Sequence, residues 1–534
     1  HPDATEIPYD GIDQDCDDQD LADVDDDGYT AEEVGGDDCN DDDPSIHPDT
    51  EDMDNGVDDD CDGEIDEDGS GAYDDWPAFI RSGNGEVYLE HIALSSDGGV
   101  VVSGHFDGKP DFDPNPHEGE EVSADGSTED VFVVKVDEDR SLLWLAGLTS
   151  ENSVVPHAMA IDALDSVLVA GSYDQILDFD IDIPTYVVQS VGGMDGFVGM
   201  YGADGLLTWG LSVGGDGDDA CHAVAADAGS HVWIGGSYTA NHDFDPGSGK
   251  ADVRGSPGGS IGGYVLRLTY DGIYESHYVF TGSEEAENTA EVRSLALDDD
   301  GLIVAGLFTG TVDFDPSDEG VHELTATGET GLFILRLDGE GGLDWAAGLD
   351  GESSIELHSM RLANDQIYVA GGFEGTVDLD PSDGVQITTS AGDLDAFVLT
   401  LDDTSGSLAR AVVFGDTGPD SAEAIDVDSS GHVYISGAFS ESIGVEEQSL
   451  ESAGGTDCVV TRISPDGAHS WAYALGSEQD DRCDALTLNS AQDRVYIGGW
   501  IGEFVNFQPA GWDFETPLEG TIDGWFLYTP AEGP

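Results

Sequence analysis

Lysine and arginine are scarce: 14 of them stand in 534 residues against 116 aspartates and glutamates, for a formal charge of −102. The scarcity excludes recognition of nucleic acid backbones, which rests on Lys and Arg. It also excludes electrostatic docking on anionic lipid. The charged partners of such a chain are cations. Cysteine is sparse too, with six residues, so their placement matters. No stretch approaches the ~18 to 20 apolar residues of a membrane span. No nucleophile elbow, HExxH, P-loop or dinucleotide fingerprint is present, and the chain is expected not to be an enzyme. It opens on His1 without a signal-peptide pattern, which points to a processed or incomplete form. What is abundant is glycine, with 73 residues, beside a hydrophobic share of 39%. A chain so composed is not disordered throughout, and its Gly-rich, turn-rich, β-branched make-up points to an all-β fold.

The acid is unevenly spread. The first 70 residues hold 31 of the acids and no base, and the first basic side chain is Arg81. This segment repeats internally: "HPDATEIPYDGIDQDCDDQD" at the start matches "HPDTEDMDNGVDDDCDGEID" from His47. The chain thus opens in mid-repeat, and further copies are expected upstream. Asp23, Asp25 and Asp27 before Gly28 have the D-x-D-x-D-G spacing of the first half of an EF-hand loop. There, alternate carboxylates converge on one cation and Gly allows the sharp turn. The twelfth position is Val34 rather than Glu, so this is no EF-hand. The missing ligands are sought in Asp37, Asp38, Asp41 and Asp43. The repeated runs add Asp13, Asp15, Asp17, Asp58, Asp60, Asp62 and Asp66. Composition alone would allow a disordered acidic spacer. The periodic Cys, Gly and Asp argue instead for calcium.

The run "GGDDCNDDDPSIHP … DNGVDDDCDGEIDE" resembles the Asp- and Cys-rich metal-binding repeat of secreted bacterial proteins, over about residues 1–68. The resemblance implies a disulfide between Cys39 and Cys61. Cys16 corresponds to Cys61, so its counterpart would lie upstream. With almost no apolar core, such a module must be held by cross-link and cation. An oxidising, calcium-rich place outside the cell follows. Residues 69–74 read as a short linker.

Residues 75–534 are seven copies of one unit. D-[FL]-D recurs at Asp111, Asp178, Asp243, Asp313 and Asp378, with remnants at Gly444 and Asn506. Each copy holds four short strand patterns: one such as "SLALD", one such as "LIVAGLF", one such as "LFILRLD", and one that begins near Trp and ends at Gly. Four strands per unit, seven times, predict a seven-bladed β-propeller. The Trp76 segment precedes the first full copy, and the last copy lacks its own Trp strand. The N-terminal strand is therefore expected to close the seventh blade, three strands plus one, and to protect the edge. The units resemble the bacterial seven-bladed β-propeller repeat family with its "G-T-x-D-F-D-P" and "D-x-F-V" signatures. The resemblance implies an extracellular or surface protein.

Two constellations in the propeller are candidate sites. In an extended D-x-D both carboxylates point to one side. Asp111/Asp113, Asp178/Asp180, Asp243/Asp245, Asp313/Asp315 and Asp378/Asp380 could each hold a hard cation. The competing reading is a turn in which Asp caps backbone N–H groups and Pro fixes the corner. Gly444/Glu446 and Asn506/Gln508 break the pattern and would bind weakly. The second constellation is a ring. The polar residue before each innermost apolar run is Glu90, His157, His222, Arg293, His358, Glu423 and Asp484. These would line one mouth of the axial channel as ligands or acid–base groups, or merely form a solvated strand entrance. Trp76, Trp144, Trp209, Trp345 and Trp471 share one register and read as packing, while Trp500, Trp512 and Trp525 are weaker candidates for sugar contact. Cys221, Cys458 and Cys483 read as buried small side chains or one odd disulfide.

These observations lead to one expectation: a secreted calcium-binding structural protein of a cell-surface layer, adhesive or filament, associating with itself or a surface partner through calcium. The alternative is a propeller that binds carbohydrate or another ligand, or acts as a lyase or hydrolase, at its axial mouth.

Overall fold

The computed structural model describes positions 8, 24–25, 29–31, 36, 38–40, 44, 46–48 and 61 of the first 77 residues. From 78 to 533 it describes all but 115–128, 139, 181–185, 228, 248–250, 254–260, 283–287, 299, 318–319, 383, 446–447 and 503–521. The chain divides into two units, His1–Trp76 and Pro77–Pro534.

In the first unit Cys39 and Cys61 form a disulfide, with Cα atoms 5.4 Å apart. Ala31 bridges Asp38 in parallel, and Tyr29 stacks on His47 with ring centroids 4.8 Å apart. The Asp38 carboxylate accepts the Asn40 N–H at 2.8 Å, an Asx-turn beside the disulfide.

The second unit is an all-β propeller of seven antiparallel sheets, and no helix occurs among the described residues. The innermost strands are Val87–Leu94, Ser153–Ile161, Ala220–Ala226, Thr289–Leu297, Ile355–Ala363, Asp420–Val427 and Asp481–Leu488. The second and third strands of the blades are near-continuous apolar runs, such as Val167–Asp174 and Gly331–Asp338, buried along almost their whole length. Neighbouring blades cover both of their faces, which removes any need for polar alternation. Seven apolar clusters result, one at each junction between successive blades. The last junction packs Ala485, Tyr496 and Phe526 against Leu89, Val102 and Phe132.

The seventh sheet runs Asp481–Leu488, Arg494–Ile501, Asp523–Pro530 and then Ala78–Ile80. Ala78 stands opposite Phe526 and Ile80 opposite Gly524. Its outermost strand thus comes from the start of the unit. Trp76 itself lies outside the described residues.

The register tryptophans lie between blades. Trp144, Trp209 and Trp345 each donate their indole N–H to a carbonyl in the turn of the next blade: Ala203 at 3.1 Å, Tyr270 at 3.0 Å and Asp403 at 3.1 Å. Gly205 and Gly406 of those turns have positive φ, and a Cβ there would meet the indole at 2.6 and 2.7 Å. Only glycine allows both the turn and the stacked ring.

Cys458 and Cys483 form a second disulfide, Cα atoms 5.3 Å apart, which ties the sixth blade to the seventh. Of the two readings open for these residues, the cross-link is the one observed. Cys221 is a buried free thiol, in contact with the Tyr264 hydroxyl at 3.3 Å.

Candidate functional site

The seven ring residues come to one structural position. Each innermost strand carries a β-bulge, and the bulge falls at Glu90, His157, His222, Arg293, His358, Glu423 and, in the seventh blade, at Cys483 and Asp484. A bulge adds an unpaired residue and re-aims its side chain. The seven polar residues therefore leave the alternation that buries their neighbours.

Contacts within and between blades tie several of them together, whereas Arg293 pairs with Glu291 of its own strand. The His358 Nδ1 lies 2.7 Å from the Glu423 carboxylate. Arg482 bonds Glu423 at 2.5 Å and Asp484 at 2.8 Å. His157 and His222 approach with ring centroids 5.0 Å apart, and each ring Nε2 is held at 3.0 Å by a serine hydroxyl, Ser172 and Ser237. Asp484 accepts the Trp500 indole N–H at 3.1 Å. Glu90 faces His105 at 3.4 Å, and Tyr88 stacks on His105 and meets Trp500 edge-on.

The ring is electrostatically divided. Burial, with the nearby Arg293 guanidinium, pushes His157 down to about 4 and His222 well below the ordinary imidazole range. Both are neutral near pH 7. Burial would lower His358 as well, but the Glu356 and Glu423 carboxylates outweigh it and hold this imidazole up at about 9. Burial would raise Glu423, yet His358 and Arg482 draw it down to about 2. One side thus presents neutral imidazoles and the other a paired chain of fixed charges. Glu90 Oε2 and His222 Nδ1 are buried without a hydrogen-bond partner. Such atoms are costly unless a ligand or water meets them.

The D-F-D-P corners are stitches between blades. Asp178 pairs with Thr149, Asp243 with Gly214 and Asp313 with Thr281, each on the outermost strand of the preceding blade. Arg81 bridges Asp111, and Gly351 bridges Val377 beside Asp378. In all five corners the first carboxylate accepts the N–H of the second aspartate, at 3.1 to 3.2 Å. Asp243, Asp313 and Asp378 also accept a second N–H across the turn, from Ala251, His322 and Gln386. Phe112, Phe179, Phe244, Phe314 and Leu379 between the acids are fully buried. This is the geometry of a capped turn.

Three of the second acids also cap the chain. Asp245, Asp315 and Asp380 turn to the chain ahead and accept the N–H two residues on, from Gly247, Ser317 and Ser382, at 2.8 to 3.0 Å. Asp113 is buried and Asp180 half-buried in their corners. Among the described residues no three His, Cys, Asp or Glu side chains converge as metal ligands. Of the two readings open for Asp111/Asp113, Asp178/Asp180, Asp243/Asp245, Asp313/Asp315 and Asp378/Asp380, the hydrogen bonds present are those of the turn. In every corner these N–H groups converge on the Oδ1 atoms of the acids, as a capped turn requires.

Of the acidic-module candidates, Asp25 and Asp38 are described. Asp13, Asp15, Asp17, Asp23, Asp27, Asp37, Asp41, Asp43, Asp58, Asp60, Asp62 and Asp66 lie outside the described residues, as do Cys16, Glu446, Asn506, Gln508 and Trp512.

Sequence reading missed three features. Arg482 enters the ring two residues before Asp484. Tyr88, His105 and Trp500 form an aromatic corner on it. Paired aspartates also lie buried between blades, where burial and then the charge of the neighbour push Asp195 and Asp420 up to about 7. The "D-x-F-V" string was a signal for the last.

Fold and site define an all-β seven-bladed propeller preceded by a metal-binding motif. A family model named for copper-binding MopE, and described as "putative metal-binding motif", matches residues 1–20 and 38–67. No curated protein matches the chain. Among solved structures, the chain is similar to the quinohemoprotein alcohol dehydrogenase of Pseudomonas putida HK5, at 11% identity and a TM-score of 0.38, covering 86% of this chain and 76% of that one. It is also similar to a europium-containing methanol dehydrogenase, at 10% identity and a TM-score of 0.39, covering 85% and 92%. Both of those proteins are enzymes by name, so the expectation that this chain is not an enzyme is not upheld, and their activity is not carried over to this chain. The absence of a contiguous motif does not decide the matter, because a propeller can assemble a site from one residue per blade. At such low identity neither substrate nor cofactor carries over.

Among the described residues no helix is long and apolar enough to cross a membrane.

Proposed function

We propose that this is a secreted calcium-binding protein of a cell-surface layer, adhesive or filament, with the propeller as rigid body and the acidic module as connector. The observation that carries this reading is the module itself: an Asp-rich segment without a base, clipped by Cys39–Cys61 and matched over residues 1–20 and 38–67 by the metal-binding model. Its abundant carboxylates are hard oxygen donors, which suit calcium better than a soft or nitrogen-seeking metal. Two disulfides fit an oxidising compartment. Acidic subunits that would repel one another can then meet through shared calcium, with a further copy or a surface molecule as partner. The test is removal of calcium from the full chain. Chelation is expected to lower the melting temperature and dissociate assemblies seen by light scattering. Identical melting and assembly in EDTA would overturn the reading.

A second reading is favoured by the ring: a ligand such as a carbohydrate binds at the axial mouth, against Tyr88, Trp500 and the unpartnered Glu90 and His222 atoms. Alanine at His157, His222 and His358 together is expected to abolish glycan-array or calorimetric binding while the protein still folds. Undiminished binding by that variant would discard the axial site.

A further inference from the structure

At three of the seven junctions two aspartates are buried together. One lies in the third strand of a blade: Asp195, Asp395 or Asp457. The other stands three residues before the ring position of the following blade: Asp219, Asp420 or Asp481. All six are at most 3% exposed. Each gives one oxygen to the N–H four residues earlier, as Val191 to Asp195 at 3.0 Å and Asp416 to Asp420 at 2.8 Å. The other oxygen, Oδ1, of Asp195, Asp395, Asp420 and Asp457 is buried without a hydrogen-bond partner.

The glycine that ends each Trp strand makes room for them. A Cβ at Gly415 would stand 2.7 Å from Asp395 Oδ1 and 3.0 Å from Asp420 Oδ2. At Gly214 and Gly476 it would overlap the Asp195 and Asp457 carboxyls. In the Asp395/Asp420 pair both carboxyls therefore reach one glycine-lined hollow.

Comparison of the junctions shows that each pair is a unit. Opposite Gly262 and Gly331 stand Ala290 and Ile355. Opposite Asp130 and Asp523 stand Val154 and Val87, and those two lone acids are bonded by Ser150 and Ser82. The second acid occurs only where the first is already acidic. Repulsion between buried like charges would favour the reverse arrangement. Recurrence at three junctions calls for a positive charge between the two carboxylates.

We propose that the pairs Asp195/Asp219, Asp395/Asp420 and Asp457/Asp481 are three cation sites, each taking one hard divalent cation, calcium, between adjacent blades. Two carboxylates anchor it, and backbone carbonyls and water complete the shell. Four of these six keep a buried oxygen that no N–H occupies; in Asp219 and Asp481 the second oxygen accepts the Thr239 and Gly502 N–H, and His242 Nδ1 lies 3.3 Å from Asp219. The sites are independent of the acidic module. They would add a metal link to the backbone pairing that joins the blades at the Asp195/Asp219 junction and to the disulfide at the Asp457/Asp481 junction.

The full chain is stripped with EDTA, dialysed against calcium and analysed for bound metal. The triple variant Asp219→Asn, Asp420→Asn, Asp481→Asn keeps an oxygen for each N–H four residues back. It is expected to bind three fewer calcium ions per chain than the parent, and its melting temperature should respond less to EDTA. An unchanged calcium count overturns the proposal. So does a variant that melts higher at pH 8 with or without calcium, because a shared proton then occupies the pairs. Should the triple variant not fold, anomalous scattering from parent crystals grown in calcium decides. Peaks at the three junctions support the sites and their absence overturns them. Calcium held by the module is common to parent and variant, so failure of the module reading is read separately.

Discussion

The ring shows how a single side chain takes its character from its neighbours. His157 and His358 occupy equivalent bulges, yet one is held down to about 4 and the other up at about 9. The difference is the company: Arg293 near the first, Glu356 and Glu423 around the second. Because His358 is raised in the folded state, the stability it contributes is full below the ordinary imidazole range and is lost as pH rises through about 9. Glu423 is depressed, so its contribution is present above the ordinary carboxylate range and is lost as pH falls through about 2. The pair is therefore strongest in the mildly acidic range between those two limits. Replacing Glu423 with Gln removes the 2.7 Å partner and should bring the His358 titration, followed by NMR, down toward neutrality. A His358 titration unmoved by Glu423→Gln would mean that Glu356 alone sets it. The polar identity of these positions was legible in the sequence, but Arg482, two residues from the aligned position, was not. It reaches Glu423 of the neighbouring blade, and no spacing rule gives that reach.

At the scale of the element, the D-F-D-P corner is the informative case. Its recurrence located the blades, and its buried Phe or Leu fixed each corner in the core. The sequence left two roles open for its acids because carboxylates that cap a turn and carboxylates that hold a cation have the same spacing. The hydrogen bonds present are those of the cap. Asp313 accepts the N–H of Asp315 at 3.1 Å and of His322 at 2.8 Å while its own strand pairs with Thr281. Asp313→Ala removes the one oxygen that accepts both N–H groups of the corner and should destabilise the protein by about 1 to 2 kcal/mol in denaturant unfolding. Asn should restore most of that loss. The loss should be the same in calcium and in EDTA. A loss confined to calcium-loaded protein would make the corner a metal site. The bulge in each innermost strand was not legible, since one extra residue in a strand leaves no compositional mark. Neither was the Cys458–Cys483 cross-link: partners on adjacent blades are recognisable only after the blades are placed.

For the whole molecule the question is what neutralises a formal charge of −102. Two explanations make different demands on the same protein. If the acidity only adapts the surface to salt, monovalent ions should serve as well as calcium. At about 1 M salt the screening length is roughly 3 Å, so exposed like charges no longer feel one another. If calcium is bound by chelating carboxylates, screening cannot replace it, because buried pairs are screened far less than exposed ones. The distribution of the acids favours the second explanation. The first 70 residues concentrate 31 of them without one base, and six more lie buried in pairs at three blade junctions. Surface adaptation would place neither group so. EDTA-treated protein titrated with NaCl or KCl up to about 1 M should recover only part of its lost melting temperature, whereas millimolar calcium at low salt should recover all of it. Full recovery in NaCl or KCl, with no added effect of calcium, would assign the acidity to the solvent rather than to bound metal.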